Sequence, residues 1–205
     1  LVLEAPTGSG KSTQVPQILL DQQLLAPRGE IVVLQPRRVA ARMLARRVAQ
    51  ERNGRCGDEV GYQVRFENQV SAKTRIRYVT EGVLLRQIVS NPELPGIDTI
   101  VFDEFHERHF FGDITLARAL QIQRESRPDL RIIVMSATLD GERISEFLGG
   151  CPRLSAEGRT DPVDLRYQPL RERAKGELWD HIAKTYAAEL KATGEPVDAL
   201  VFRPG

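Results

Sequence analysis

The segment VFDEFHERHF, residues 101–110, places two adjacent carboxylates and two histidines within ten residues. Carboxylates that end an apolar run can ligate a hard metal ion such as Mg²⁺, and one of them can act as a general base. The histidines raise the alternative of a transition-metal site. His106 and His109 are three residues apart, however, whereas the HExxH zinc pattern places them four apart, and no cysteine cluster adds ligands. The spacing therefore favours carboxylate chemistry at Asp103 and Glu104.

A second chemical signature lies near the start of the chain, in LVLEAPTGSGKSTQVPQ. A glycine-bearing loop between a strand-like run and a helical pattern can bind phosphate, because its backbone N–H groups and the helix N-terminus attract anions. Lys11 would reach the β- and γ-phosphates, and the Ser12 hydroxyl would ligate Mg²⁺. Ala5 stands where the strict pattern has a glycine, and the alternative is a glycine-rich turn with a surface lysine. The predicted nucleotide-binding residues of this loop are Thr7, Gly8, Ser9, Gly10, Lys11, Ser12 and Thr13.

The two segments predict one site when they are combined. Asp103 and Glu104 end the apolar run TIVFD, as the carboxylates of a Walker B element do. We expect Asp103 to hold Mg²⁺ together with Ser12. We expect Glu104 to be the general base that polarises the water attacking the γ-phosphate.

A third polar segment, SAT at residues 136–138, follows the apolar run RIIVM. Its hydroxyl groups, on Ser136 and Thr138, could meet His106 from a neighbouring strand end. The alternative is a Ser/Thr turn that caps the next helix.

Short apolar runs alternate along the chain with helix-length amphipathic stretches, without an internal repeat. Runs such as IVVLQ and RIIVMS lack a polar alternation, as strands buried on both faces do. The pattern predicts an α/β fold, with a mostly parallel sheet and helices on both faces. Strands are predicted at residues 1–4, 31–35, 75–80, 99–103, 131–136, 163–167 and 199–202, and helices at 11–25, 37–52, 81–90, 112–124, 140–148 and 176–192.

Composition excludes some functions and locates a domain boundary. The net charge of +1 gives no global attraction to nucleic acid or membrane, and no apolar run is long enough to span a bilayer. Cys56 and Cys151 fit neither a disulfide framework nor a metal site, which indicates a reducing cytoplasm.

Both ends of the sequence lie inside strand-like runs, so we interpret the chain as a fragment. A Gly- and Pro-containing stretch at residues 149–162 predicts a first domain at 1–155 and a linker with the truncated start of a second at 156–205.

Six motifs occur in a fixed order: APTGSGKST (5–13), QPRRVAAR (35–42), VGYQVRFE (60–67), TEGVLLR (80–86), DEFHER (103–108) and SATLD (136–140). Over residues 1–140 this set resembles the first RecA-like domain of the DEAH-box ATP-dependent RNA helicases of superfamily 2. The end of the chain, DALVFRPG, is similar to a strand of that family's second domain. Phe105 replaces the family's usual alanine, and the DEFHER form resembles the bacterial HrpB-type branch.

The resemblance implies a RecA-like P-loop NTPase domain that uses ATP and Mg²⁺ and couples hydrolysis to 3′-to-5′ movement on single-stranded RNA. It assigns catalysis to Lys11, Glu104, His106, Ser136 and Thr138, with the SAT segment coupling nucleotide state through a hydrogen bond to His106. The alternatives are a nucleotide-gated RNA-binding assembly factor that does not unwind, and a superfamily 2 motor directed to DNA.

The resemblance also implies a nucleic-acid face and a partner. Arg37 and Arg38 would grip the nucleic-acid backbone, and Thr80, Glu81 and Gly82 would add phosphate and sugar contacts. These contacts position a strand without reading its sequence, and we identify no base-stacking aromatic residue in the sequence. The family's arginine fingers come from the second RecA-like domain of the same chain, so we expect these 205 residues alone to be catalytically incomplete.

The second predicted helix carries most of the arginine residues of this face. Arg38, Arg42 and Arg46 fall four residues apart on one side, although such a row is often only a solvated surface. The predicted buried stripe consists of Val39, Met43, Leu44 and Val48. By resemblance, Arg47 near the end of this helix is a candidate to stack on the adenine.

Overall fold

The computed structural model describes residues 1–137, 141–157 and 177–193. The chain divides into two compact units, Leu1–Thr160 and Asp161–Gly205. Thr138 and the strands predicted at 163–167 and 199–202 lie outside the described residues, and the domain limits inferred from the sequence stay a prediction. Within the described residues, no helix is both long enough and apolar enough to cross a membrane.

The first unit contains a mixed set of strands and helices. Its described strands are β1 (Val2–Glu4), β2 (Glu30–Gln35), β3 (Val60–Val64), β4 (Glu67–Gln69), β5 (Ile76–Thr80), β6 (Ile97–Phe102), β7 (Arg131–Ser136) and β8 (Arg153–Ser155). Its described helices are α1 (Lys11–Asp21), α2 (Arg38–Glu51), α3 (Glu81–Ser90), α4 (Phe110–Glu125) and α5 (Gly141–Phe147), together with a 3₁₀ turn, Phe105–Glu107. In the second unit the described residues form one helix, α6 (Glu177–Thr193).

The eight strands form one sheet in the order β4-β3-β5-β2-β6-β7-β1-β8. The β3–β4 pair is antiparallel and every other pair of neighbours is parallel. Since parallel strands end on the same side, the segments that follow β1, β2, β3, β5, β6 and β7 meet at one edge of the sheet. We call this edge the carboxyl edge.

Each face of the sheet has its own apolar core. On one face, β-strand residues such as Val32 and Ile100 pack with Leu84 of α3 and Leu116 of α4. On the other face, residues such as Val33 pack with a row of four buried α2 residues, Ala41, Ala45, Val48 and Ala49. Burial on both sides explains why the central strands lack a polar alternation, and it confirms the predicted α/β class with helices on both faces.

Most predicted elements are present in the described residues. The strand at 131–136 and the helix at 81–90 have the predicted limits, whereas α1 ends at Asp21 and not at residue 25. Strands β3, β4 and β8 were not predicted. β4 and β8 are only three residues long, which is too short for a periodic pattern to be visible.

The buried stripe predicted for α2 is partly wrong. Val39 and Met43 are exposed, at 58% and 65% of their surface, and three alanines together with Val48 face the sheet instead. The small alanine side chains let α2 pack closely on the sheet. This close packing has more influence than side-chain hydrophobicity on which face of the helix is buried.

Replacing a fully buried residue of the central strand should destabilise the unit strongly. Ile100 is 0% exposed, and Ile100→Ala should lower the free energy of unfolding by about 2–5 kcal/mol, because the cavity is enclosed on all sides. Val39→Ala, at an exposed position, serves as the control and should change it by less than about 0.5 kcal/mol. Urea denaturation measures both, and equal effects would contradict the burial described above.

Candidate nucleotide-hydrolysis site

The phosphate loop, residues 5–13, connects the carboxyl end of β1 to α1. Gly8 and Gly10 both have φ of +83°, a left-handed conformation that other residues adopt only with strain. The Thr13 hydroxyl donates a hydrogen bond to the Gly10 carbonyl (3.0 Å). Thr7, Gly8 and Ser9 are exposed at the tip of the loop. The loop therefore presents exposed backbone at the carboxyl edge, next to the N-terminus of α1, where an anion can bind.

Tyr78 of β5 contacts the end of this loop from inside the protein core. Its hydroxyl donates a hydrogen bond to the Ser12 carbonyl (2.9 Å), and its side chain is fully buried. Burial raises the pKa of the Tyr78 hydroxyl, and the nearby charge of Asp103 raises it further. Tyr78 therefore remains a neutral hydrogen-bond donor that fixes the first turn of α1.

Asp103 lies at the end of β6 and is only 4% exposed. Its carboxylate accepts hydrogen bonds from the Gln35 side chain, from the Ser12 hydroxyl, and from the Glu104 N–H (2.9 Å). Burial raises the pKa of Asp103 above its usual value, and the charge of Glu104 adds to this effect, while the bond from Ser12 opposes it. The structure thus places Asp103 and Ser12, the two predicted metal ligands, in direct contact.

The donor set at Asp103 suits Mg²⁺. A carboxylate and a hydroxyl are hard oxygen ligands, and Mg²⁺ in nucleotide sites takes few protein ligands, with phosphate and water completing its shell. A cation here would also offset the cost of burying the Asp103 charge. Among the described residues, no group of three or more His, Cys, Asp and Glu side chains could hold a metal ion by itself.

Glu104 occupies the centre of the site. It adopts φ of 51° as the residue before the 3₁₀ turn Phe105–Glu107, so its carboxylate projects beside the phosphate loop. One oxygen lies 3.4 Å from Lys11 Nζ, and the other lies 3.3 Å from His106 Nε2. Lys11 is 5% exposed, and its ammonium group has a short-range partner in Glu104.

His106 connects Glu104 to the segment after β7. The Ala137 N–H donates to His106 Nδ1 (3.2 Å), so the ring proton must reside on Nε2, the nitrogen that faces Glu104. The SAT segment is thus hydrogen-bonded to His106 through the Ala137 backbone N–H, whereas the sequence predicted contacts from the Ser136 and Thr138 hydroxyl groups. Ser136 is fully buried at the end of β7, and the catalytic roles of Ser136 and Thr138 stay predictions.

Phe105 is packed away from the nucleotide side. It is 8% exposed and lies edge-to-face on Phe102 of β6, with ring centroids 6.2 Å apart. The Arg108 guanidinium lies 5.4 Å from its ring centroid. Phe105 therefore anchors the 3₁₀ turn in the apolar core while its neighbours, Glu104 and His106, face the site.

The predicted nucleic-acid residues lie along the same carboxyl edge. Arg37 and Arg38 follow β2 and are exposed; Arg37 is paired with Glu107. Thr80, Glu81 and Gly82 join β5 to α3, with Glu81 partly buried beside α4. Burial raises the pKa of the Glu81 carboxyl group above its usual value.

Arg47 projects from α2 on the side of α1. Its Nε donates to Glu51 (2.6 Å), and Glu51 also accepts hydrogen bonds from Gln14 (3.1 Å) and Gln17 (2.8 Å) of α1. The side chain of Arg47 is still 65% exposed. Its position beside the helix of the phosphate loop is compatible with the predicted stacking on a base, which stays a prediction.

Sequence reasoning did not single out four residues that the structure places at this edge. Gln35 and Tyr78 hold Asp103 and the phosphate loop, and Glu107 contacts Arg37. Phe66, in the turn between β3 and β4, is 90% exposed, and it was not considered as a base-stacking candidate. The signal that could have identified Gln35 is its place as a polar residue at the end of a buried strand. Identifying Phe66 would have required the β3–β4 hairpin, which was not predicted.

Comparison with known proteins agrees with this geometry. The sequence model of the family described as DEAD/DEAH box helicase matches residues 1–147. The chain belongs to the DEAD/DEAH box helicase family.

Two curated relatives refine this assignment. The chain is 43% identical over all of its 205 residues to the ATP-dependent RNA helicase HrpB of Escherichia coli strain K12. It is 48% identical over 167 residues, 81% of the chain, to the probable ATP-dependent RNA helicase DHR2 of Saccharomyces cerevisiae. The chain spans about a quarter of the length of these relatives, 25% and 23% respectively.

Solved structures of HrpB from Escherichia coli give the same result. A crystal structure described as DEAH/RHA helicase HrpB superposes with a TM-score of 0.78 at 42% identity, over 94% of this chain and 24% of that one. A second, described as DExH-box NTPase HrpB, superposes with a TM-score of 0.74 over 100% of this chain and 25% of that one. These matches confirm the RecA-like fold and the resemblance to the HrpB-type branch predicted from the motifs.

The raised pKa of Asp103 predicts a pH-dependent stability in buffer without Mg²⁺ and nucleotide. The carboxyl group has a higher pKa in the folded than in the unfolded state, so its contribution to the free energy of unfolding falls as the pH rises from about 3.9 through the raised value. Asp103→Asn lacks this fall because an amide does not ionise. The unfolding free energy of the variant minus that of the wild type should therefore increase across this pH range. Denaturant titrations at several pH values measure the difference, and a constant value would contradict the prediction.

Proposed function

We propose that this chain is the first RecA-like domain of an ATP-dependent RNA helicase, which binds and hydrolyses ATP. The observation that carries the proposal is the convergence of Lys11 and Ser12 of the phosphate loop with Asp103 and Glu104 at one edge of the sheet. The family membership and the printed names of HrpB and DHR2 support the same activity.

Each residue of the site has a distinct task in this proposal. The N–H groups of the phosphate loop hold the phosphates, and Lys11 neutralises the charge on the β- and γ-phosphates. Glu104 accepts the proton of the attacking water, and His106 orients Glu104 through the Nε2 proton described above. Mg²⁺, held by Ser12 and Asp103, would stabilise the charge that develops on the phosphate oxygens.

Nucleotide binding must rearrange the pair formed by Lys11 and Glu104. The two side chains lie 3.4 Å apart with the lysine buried, so one ammonium group cannot serve the carboxylate and the phosphates equally. When phosphate takes Lys11, the Glu104 carboxylate loses its ion-pair partner. Glu104 is then free to accept a hydrogen bond from the attacking water.

The exposed residues of the carboxyl edge are proposed to bind single-stranded RNA through its backbone. Arg37 and Arg38 would contact phosphates, and Thr80, Glu81 and Gly82 would contact phosphate and sugar. Phe66 adds a base-stacking platform: its ring is 90% exposed, and the Arg65 guanidinium lies 4.7 Å from its centroid. Stacking on an aromatic ring does not depend on base identity, which fits a motor that moves along any sequence.

The remaining features of the full protein are also proposals. We infer a second RecA-like domain, beginning near residue 156, that supplies arginine fingers and moves against the first to translocate 3′ to 5′. Arg47 would stack on the adenine. The two cysteines, both free in the structure, fit a protein of the reducing cytoplasm.

Two alternatives share the same nucleotide site. A nucleotide-gated RNA-binding assembly factor would hydrolyse ATP without separating strands, and a DNA-directed motor would use the same backbone contacts. Paired measurements of ATPase stimulation by RNA and by DNA separate the second alternative, since RNA alone offers 2′-hydroxyl contacts.

Glu104→Gln in the full-length protein should abolish ATP turnover while leaving ATP affinity largely intact, because an amide cannot accept the proton of water. Loss of one general base typically lowers the rate by about 10²–10⁴-fold. Steady-state turnover and equilibrium ATP binding are measured side by side, with strand displacement on an RNA duplex as the third readout. Unchanged turnover would remove Glu104 from the mechanism, and turnover without strand displacement by the wild type would favour the assembly factor.

Phe66→Ala in the full-length protein should weaken binding of a single-stranded oligouridylate by about fivefold or more, the loss expected for one stacked base. Phe66→Tyr retains the ring and should bind as the wild type does. Fluorescence anisotropy with a labelled oligonucleotide measures both affinities. Equal affinities of the alanine and tyrosine variants would exclude stacking at this position.

A further inference from the structure

An ion pair joins the candidate RNA face to the candidate hydrolysis site. Arg37 Nη2 lies 3.0 Å from Glu107 Oε1. Arg37 follows β2, where we place phosphate contacts, and Glu107 is the last residue of the 3₁₀ turn Phe105–Glu107. That turn begins immediately after Glu104. The pair therefore connects a residue proposed to bind RNA to the segment that carries the general base.

The two sites also line one open groove of about 380 Å³. Ser12 and Glu104 line it from the nucleotide side, and Arg37 and Glu107 line it from the RNA side. A shift of Glu107 would thus occur in the same groove as the hydrolysis site, with no intervening layer of packed side chains.

The Glu107 carboxylate has two partners, Arg37 and His109, and it is ionised. Its second oxygen lies 3.1 Å from His109 Nε2, and the hydrogen bond from His109, followed by the charge of Arg37, holds the pKa of Glu107 below its usual value. The carboxylate is therefore negative at neutral pH. It stands where it competes with an RNA phosphate for the Arg37 guanidinium.

The pair is exposed enough to be exchanged. The Arg37 side chain is 73% exposed, and that of Glu107 is 25% exposed. Exposed ion pairs contribute little net stability, whereas arginine binds phosphate with two parallel charge-assisted hydrogen bonds. A phosphate that approaches Arg37 can therefore replace Glu107 as its partner.

The turn between Glu104 and Glu107 is conformationally constrained. Glu104 and Arg108, the residues on either side of it, have φ of 51° and 47°, a left-handed conformation that is unfavourable for residues other than glycine. The Glu107 N–H also donates to the Glu104 carbonyl (2.9 Å). Phe105 and the hydrogen bond from Ala137 to His106 hold the turn in place, so loss of the Arg37 contact should shift Glu104 without unfolding the turn.

We propose that Glu107 is a positioning residue that senses RNA: it holds Arg37 when RNA is absent, and it repositions Glu104 when an RNA phosphate takes Arg37 away. The inference depends on the proposed function, in which Arg37 contacts RNA and Glu104 is the base. It explains how occupancy of the RNA face can stimulate ATP hydrolysis without a contact between the RNA and the nucleotide.

A double-mutant cycle in the full-length protein tests this link, with Glu107→Gln and Arg37→Ala. Glu107→Gln should raise RNA-free ATP turnover and reduce the stimulation by RNA, and it should strengthen oligouridylate binding about three- to tenfold at low salt, because Arg37 loses its competitor. Arg37→Ala should raise RNA-free turnover by a similar factor but weaken RNA binding. The double variant should show the RNA-free turnover of either single variant, because both changes break one contact.

Asp129→Asn is the matched control. Asp129 is paired with Arg127 at 2.7 Å, in the turn before β7 at the opposite edge of the sheet, so its neutralisation should alter neither turnover nor RNA affinity. Thermal melting of every variant reports whether the fold is retained.

Four outcomes would overturn the inference. Additive effects of the two substitutions on RNA-free turnover would show that the pair does not act as a unit. Loss of turnover in Glu107→Gln with unchanged RNA affinity would show a purely structural role. Weaker RNA binding in Arg37→Ala without a change in RNA-free turnover would overturn the link alone, whereas unchanged RNA binding would also remove Arg37 from the proposed RNA face.

Discussion

The parallel alignment of the central strands is the constraint on which the site depends. Hydrogen-bonded pairing in one direction brings the ends of β1, β2, β5, β6 and β7 to a common edge, although the ends of β1 and β7, at Glu4 and Ser136, are far apart in the chain. The strands are buried on both faces, so they have little freedom to slide. The phosphate loop, the acidic segment and the arginines after β2 are consequently fixed relative to one another by the sheet and not by the loops themselves.

This edge concentrates charge in a poorly solvated space, and the charges are mutually dependent. Asp103 is costly to bury, and hydrogen bonds from Gln35 and Ser12 offset part of that cost. Lys11 and Glu104 neutralise one another in the same region. Each of these arrangements would change on binding of the proposed triphosphate and divalent cation, because both ligands would interact with the same groups. In the proposed function, the site thus couples ligand binding to side-chain position through electrostatics.

The 3₁₀ turn Phe105–Glu107 connects these charged groups to other parts of the molecule. Phe105 fixes one side of the turn in the apolar core, His106 joins it to the segment after β7, and Glu107 joins it to Arg37. One short turn thus contacts the core, the SAT segment and Arg37. A large ring at position 105 does not disturb the chemistry, because the ring and the carboxylates point to opposite sides of the turn. The Phe105 ring instead strengthens the packing of the turn against the apolar core.

The sequence by itself determined the class of fold and the limits of most long elements, and it predicted the residues of the candidate nucleotide site, because glycine loops, buried strands and strand-end carboxylates have local signatures. It did not determine which face of α2 is buried, where alanines prevailed over Val39 and Met43, nor the short strands β3, β4 and β8. Only the tertiary structure decided the partners of the charged groups. Lys11 with Glu104, Arg37 with Glu107 and Tyr78 with Ser12 are separated by 66 to 93 residues, and no local pattern encodes contacts of that range.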